Sequence, residues 1–150
     1  MFEKIEMSDK VYLDTSALAK WYLNEENSDK FVQFLQDVPL AVISDLTATE
    51  MRSLLARRRR MHEITPSLEM EIFSTFQMDI DQGHLMLLPF HHRGFEEATH
   101  LIGSLQNIPL RTLDALHLTI IKHHHIQTLA TADQAMSHAA NQLGIQVVMF

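Results

Sequence analysis

Four acidic residues, Asp14, Glu50, Asp114 and Asp133, stand where a carboxylate could do chemistry. Val11-Tyr12-Leu13, three residues fit for burial, run straight into Asp14; two hydroxyls follow, and a helical apolar period begins. Glu50 comes a turn into the segment after Ala41-Val42-Ile43-Ser44, Asp114 lies near the start of Thr112-Leu113-Asp114-Ala115-Leu116, and Asp133 closes Thr128-Leu129-Ala130-Thr131-Ala132. Brought into one crevice, such carboxylates repel one another unless a proton or a cation intervenes. A hard divalent ion, Mg2+ or Mn2+, suits them, because it takes oxygen ligands and is typically held by one or two carboxylates, with water and phosphate oxygens supplying the rest. The chemistry such a site supports is phosphoryl chemistry, in which the ion activates water, neutralises the phosphate and steadies the leaving oxygen.

Taken singly, each acid has a plainer role. Asp14 and Asp133 fit the helix N-cap, where Asp is favoured, and any first-turn carboxylate gains about 0.3–1 kcal/mol from the helix dipole. Asp114 fits that first-turn position. Glu50 closes Thr47-Ala48-Thr49-Glu50, the S/T-x-x-E pattern of a capping box, in which the glutamate bonds back to the N-cap amide.

The elements that must position these acids are legible as alternating segments. Short β-prone runs occur at Lys10 to Leu13, Leu40 to Ile43, Leu85 to Phe90, Gln127 to Ala130 and Gln146 to Phe150,. Between them lie longer stretches of helical period: Leu46, Met51, Leu54 and Leu55 share one face, as do Leu68, Ile72, Phe73 and Phe76,. Strands separated by helices predict an α/β fold with a mainly parallel sheet covered on both faces. Two helical segments, 46–60 and 66–82, follow one another without a strand and predict an αα-hairpin at the side of the sheet. In such sheets ligands bind beyond the C-terminal ends of the strands. If strands one and four are neighbours, Asp14, Asp114 and Asp133 converge there.

Composition narrows the function classes. The 150 residues are the size of one domain, with 46% hydrophobic and 21% charged residues, outside the range of disordered chains,. Twelve Lys+Arg against nineteen Asp+Glu give a net charge of −7, so any polyanion must be attracted locally,. Cysteine is absent, which removes disulfides and thiolate metal sites,. The charged N-terminal segment lacks a signal peptide's apolar stretch and no run reaches the ~18 apolar residues of a membrane span. The expectation is a cytoplasmic protein with no membrane contact.

"VYLDTSALAKWY", "SDLTATEMRSLLARR", "LRTLDALHL" and "TLATADQAM" resemble the four acidic motifs of PIN-domain ribonucleases, most closely the VapC-type toxins of bacterial toxin–antitoxin pairs. The resemblance runs from about Val11 to Val148 and implies a five-stranded parallel sheet flanked by helices. It implies Asp14, Glu50, Asp114 and Asp133 around Mg2+ or Mn2+, with Asp14, Asp114 and Asp133 as metal ligands, Glu50 holding an ion-bound water or a second ion, and Ser16 and Thr131 as supporting hydroxyls. It implies endonucleolytic hydrolysis of RNA, an ion-activated water attacking in line to leave a 5′-phosphate and a 3′-hydroxyl. It implies as partners a cognate antitoxin, which inhibits by laying a basic side chain across the acids, and a second copy in a homodimer.

Beside the acids, Arg57 to Arg60 with Arg52 form one basic feature on an acidic chain, readable as a track for RNA phosphates, through Arg52, Arg57 and Arg58 above all, or as a solvated helix end suited to the dipole,. Consecutive arginines point around a helix, so not all can face one ligand. His91, His92 and His123 to His125 suggest a transition-metal site on composition alone, but consecutive histidines do not share a helix face,. His117, three residues after Asp114, reads as a hydrogen-bonded, partly buried histidine near the site. Two other functions fit the acids: a Mg2+-dependent phosphatase with Asp14 as nucleophile, weakened because Ser16 stands where a second aspartate is wanted, and a non-catalytic α/β protein-binding module whose acids are only caps.

Overall fold

The computed structural model describes residues 10–150. Five strands, β1 (Lys10–Leu13), β2 (Leu40–Ser44), β3 (Met86–Leu88), β4 (Thr128–Thr131) and β5 (Gln146–Met149), form one sheet in the order β3-β2-β1-β4-β5, every neighbouring pair parallel. Seven helices connect them: α1 (Thr15–Tyr22), α2 (Ser28–Gln36), α3 (Asp45–Arg60), α4 (Pro66–Asp81), α5 (Gly94–Ser104), α6 (Thr112–His123) and α7 (Gln134–Gln142). Strand positions match the sequence expectation within one or two residues, β3 being the shortest. The anticipated hairpin is α3 and α4, consecutive and packed together.

Two-residue periodicity sorts the strand side chains into two cores. Tyr12, Val42 and Leu129 point to one face and are covered by α5, α6 and α7 through Ala98, Leu101, Leu118, Ile121, Met136 and Ala140. Val11, Leu13, Ile43 and Ala130 point to the other and meet Leu18, Phe31, Met51, Leu55, Ile72 and Phe76 from α1 to α4. Among the described residues, no helix is long and apolar enough to cross a membrane.

Topology decides where a ligand can sit. The chain builds outward from β1 to β2 and β3, then returns to place β4 on the other side of β1, with Leu13 registered on Ala130. The connections leaving β1 and β4 therefore diverge, opening a crevice at the C-terminal edge, the usual ligand position in open α/β sheets. Asp14 follows the last residue of β1, and Asp133 comes two residues after β4.

Candidate active site

Asp14 is both a cap and the floor of this crevice. Its amide donates to the Ala130 carbonyl (3.2 Å), and Oδ1 accepts from Ala17 N (3.0 Å) and Ser16 Oγ (2.7 Å), while Oδ2 accepts from Thr131 Oγ1. Ser16 Oγ also accepts from Ala132 N (2.9 Å), and Thr131 Oγ1 from Asp133 N (3.0 Å). The two hydroxyls thus join the β1 end to the β4 end around one carboxylate. Asp14 is 5% exposed. Burial pushes its pKa above the ordinary carboxylate value, against the opposing pull of Thr131, Ser16 and Ala17,.

Asp133 caps α7, its Oδ1 accepting from Met136 N at 2.9 Å. Asp114, in the first turn of α6, is buried. Arg111, at the N-cap position of α6, bridges the two: Nε lies 3.2 Å from Asp114 Oδ2 and Nη2 2.8 Å from Asp133 Oδ2. Two carboxylates from separate helices therefore face one cation. The donor set is all hard oxygen, suited to Mg2+ or Mn2+ and unsuited to a soft metal. With the side chains as they stand, no three of the Asp, Glu and His groups among the described residues enclose an ion; Arg111 supplies the positive charge between Asp114 and Asp133 that an ion would otherwise supply.

Glu50 corrects the capping-box expectation. The cap of α3 is Ser44, whose amide donates to Thr47 Oγ1 at 3.2 Å, so Thr47 takes the part read for a glutamate. A turn further on, Glu50 is free to leave the helix end: Oε1 accepts from Thr15 Oγ1 (3.1 Å) and from His117 Nε2. Burial raises its pKa, but the hydrogen bond and charge of His117, with Thr15 and Arg111, outweigh burial and hold it below the ordinary glutamate value. His117 is itself buried, and its Nδ1 meets the Tyr12 hydroxyl at 2.6 Å. Spacing had placed His117 near the site; nothing in the sequence ties it to Glu50 or to a tyrosine more than a hundred residues away.

The arginine run divides by helix face. Arg57 and Arg60 line an open cleft of about 330 Å³ with Thr15, Ser16, Glu50 and Arg111. Arg58 instead pairs with Glu63 at 2.6 Å and with Glu25, while Arg52 (3.1 Å) and Arg59 both pair with the buried Glu69. Of the three arginines expected to meet RNA, Arg57 shares a cleft with Glu50, and Arg52 and Arg58 are held in intramolecular pairs. Arg60, the last residue of the run, and Arg111, not singled out from sequence, join Arg57. The histidine-rich segments lie elsewhere. His91 and His123 stack face to face at 3.9 Å, and His91 Nε2 meets Glu97 at 2.9 Å.

A parallel sheet with four acids at its switch point is the arrangement expected of a PIN domain, and a model of the PIN-domain family matches residues 11–142. The chain belongs to the PIN-domain family. It is 30% identical over 141 residues to Ribonuclease VapC46 of Mycobacterium tuberculosis, covering 92% of this chain and 95% of that protein. Its fold is similar to that of Mycobacterium tuberculosis VapC20, a sarcin-ricin loop cleaving toxin, with a TM-score of 0.70 at 16% identity over 86% of this chain and 94% of that one. It is also similar to a chain of VapBC2 from Rickettsia felis, solved bound to promoter DNA, with a TM-score of 0.67 at 12% identity over 94% of this chain and 98% of that one.

Proposed function

We propose that the chain, acting as one domain in the cytoplasm, is a Mg2+- or Mn2+-dependent endoribonuclease and the toxin of a toxin–antitoxin pair. The observation that supports this reading is that, at one edge of a PIN fold, Asp114 and Asp133 share Arg111, Thr131 links Asp14 to the Asp133 amide, and Glu50 accepts from Thr15, the residue after Asp14. Similarity to a VapC ribonuclease over nearly the whole chain supports the reaction class, and structural relatives solved as toxin–antitoxin complexes support an antitoxin partner. A second copy, as a homodimer, belongs to the same reading.

An ion held by Asp14, Asp114 and Asp133 would neutralise the scissile phosphate and activate water. The chain's own residues do the rest. Asp14 is held by three donors, so a ligand oxygen there is fixed before any ion arrives. Ser16 and Thr131 keep it so, and orient the β4 end that carries Asp133. Glu50, with Oε1 taken by Thr15 and His117, has Oε2 left to orient the attacking water. Arg57, Arg60 and Arg111 give a local positive lining that an RNA backbone needs on a chain of net charge −7,.

The phosphatase alternative requires Asp14 to attack phosphorus. Asp14 is nearly buried and both of its oxygens accept hydrogen bonds, which leaves a lone pair on Oδ2 for an ion but lowers the carboxylate's nucleophilicity toward phosphorus,. The test is cleavage of a mixed, labelled RNA pool by purified protein with Mn2+, with Mg2+ and with EDTA, Asp14→Asn alongside as control. Cation-dependent cleavage lost in the variant is expected. Cleavage that persists in a clean Asp14→Asn preparation refutes the assignment, and a labelled aspartyl-phosphate would favour the phosphatase.

A further inference from the structure

A chain of buried polar groups runs from the sheet core to the site. Tyr12 lies in β1, fully buried, and its hydroxyl is hydrogen-bonded to Ser44 Oγ at 2.8 Å at the end of β2. The same hydroxyl meets His117 Nδ1 at 2.6 Å, and the rings pack edge to face with centroids 5.7 Å apart. The imidazole is 2% exposed and directs Nε2 to Glu50 Oε1. A carboxylate can only accept, so Nε2 donates. Thr15 Oγ1 donates to the same oxygen, and Oε2 carries no hydrogen bond to the described residues.

This arrangement answers a physical problem. A glutamate side chain has several rotatable bonds, and fixing it costs up to about 2 kcal/mol in rotamer entropy. Glu50 reaches the site from the second turn of α3, unlike Asp14, which is short and clamped by the Ala17 amide and the Ser16 and Thr131 hydroxyls. Some rigid group must hold it. An imidazole locked at its far nitrogen by a core tyrosine is such a group, just as a second nitrogen anchored by a carboxylate or carbonyl fixes the imidazole in metal sites.

We propose that His117, anchored by Tyr12, is the positioning residue for Glu50: it fixes Oε1 so that Oε2 faces the reacting water. This role presupposes the nuclease reaction and the part given to Glu50 in it. A purely structural role would make His117 no more than a satisfied polar group of the core, and two substitutions separate the cases. The amide of His117→Asn falls near Nδ1, so it retains the Tyr12 partner and loses Glu50. The amide of His117→Gln falls near Nε2, so it retains Glu50 and loses Tyr12.

The experiment measures single-turnover cleavage of a labelled RNA pool at several enzyme concentrations, well below the unfolding temperature, with folding checked by circular dichroism. Wild type, Asp14→Asn, Glu50→Gln, both His117 variants and the Glu50→Gln/His117→Asn double variant are compared. His117→Asn is expected to lower the maximal rate about 10–100-fold, the range found when an orienting partner is removed, with half-saturation unchanged. His117→Gln stays within several-fold of wild type, and His117→Asn adds nothing in the Glu50→Gln background. If His117→Asn fails to fold, Tyr12→Phe takes its place, with a several-fold loss of maximal rate expected. A maximal rate for His117→Asn within twofold of wild type, equal losses in the Asn and Gln variants, or full additivity with Glu50→Gln overturns the role of His117 while the nuclease stands. No cleavage by wild type, or cleavage by Asp14→Asn, overturns the nuclease reading and this role with it.

Discussion

The arginines of α3 are divided between two tasks, and paired substitutions should separate them. Arg52 and Arg59, two turns apart on one face, converge on Glu69, which is 3% exposed, whereas Arg57 and Arg60, one turn apart on another face, line the cleft beside Glu50,. Removing the partners of a buried carboxylate costs about 3–5 kcal/mol, because the charge is left unpaired. The side chains of Arg52 and Arg59 are 49% and 39% exposed, so solvent screens part of the interaction and the lower end, about 3 kcal/mol, applies. At about 2–4 °C per kcal/mol for a chain of this size, Arg52→Ala/Arg59→Ala should lower Tm by roughly 6–12 °C. Adding Glu69→Gln should recover part of that loss, since a neutral amide has less to lose on burial.

Arg57→Ala/Arg60→Ala should change stability by no more than about 0.5 kcal/mol, the usual range for surface sites. Its effect belongs on RNA. Each phosphate neutralised on a single strand contributes about −0.7 to the slope of log affinity against log salt, so losing two contacts should flatten the slope by about 1.4. Between 50 and 200 mM salt, the wild-type arginines should then lose about sevenfold more affinity than the variant. The assay is fluorescence anisotropy of a labelled RNA oligonucleotide at several salt concentrations, with Asp14→Asn present throughout to prevent cleavage, beside urea and thermal unfolding. Equal destabilisation by the two double variants, or an unchanged salt slope in Arg57→Ala/Arg60→Ala, refutes the division.

Other outcomes follow from single residues. Burial raises the pKa of Asp14, so its contribution to stability is present below the ordinary value of 3.8 and lost as pH rises through the native value,; in EDTA at neutral pH, Asp14→Asn should melt above wild type, with the gap closing as pH approaches 3.8, and a lower Tm in the variant would contradict this. Glu50 has the opposite sign: despite burial, His117 and Thr15 hold its pKa below 4.5, so its contribution is present above that value and lost as pH falls through the native value,. Glu50→Gln should therefore show a shallower loss of stability on acidification, read from urea midpoints across the acid range. Arg111→Gln removes two ion pairs in which the arginine is exposed but Asp114 is buried, so it should cost about 1–3 kcal/mol, yet Mn2+ should bind it more tightly by paramagnetic titration, since no resident cation is displaced. A Cβ on Gly94 would overlap the Phe90 ring, so Gly94→Ala should destabilise by about 1–3 kcal/mol, measured by chemical denaturation.

Much of this protein is written locally in its sequence. Strands β1, β2, β4 and β5 follow from short apolar runs, and α3 and α4 from helical periods, because burial on a sheet face or helix stripe imposes those repeats on neighbouring residues. The four acids are legible because the end of a strand and the start of a helix are local events. Helix α5 carries no legible period, since Ala98 and Leu101 alone mark its buried stripe beyond Gly94. The tertiary structure decided what depends on residues far apart in the chain. Setting β4 beside β1 brought two caps, Asp14 and Asp133, and the first-turn Asp114 to one crevice, which Glu50 enters from the second turn of α3. Ser44 and Thr47 capped α3, which freed Glu50 for Thr15 and His117. The ion-pair partners of Arg52, Arg58 and Arg59, and the anchoring of His117 by Tyr12, depend on side chains meeting across elements. Periodicity fixes which face a residue takes, but which neighbour it finds there is set by the packing of the whole sheet.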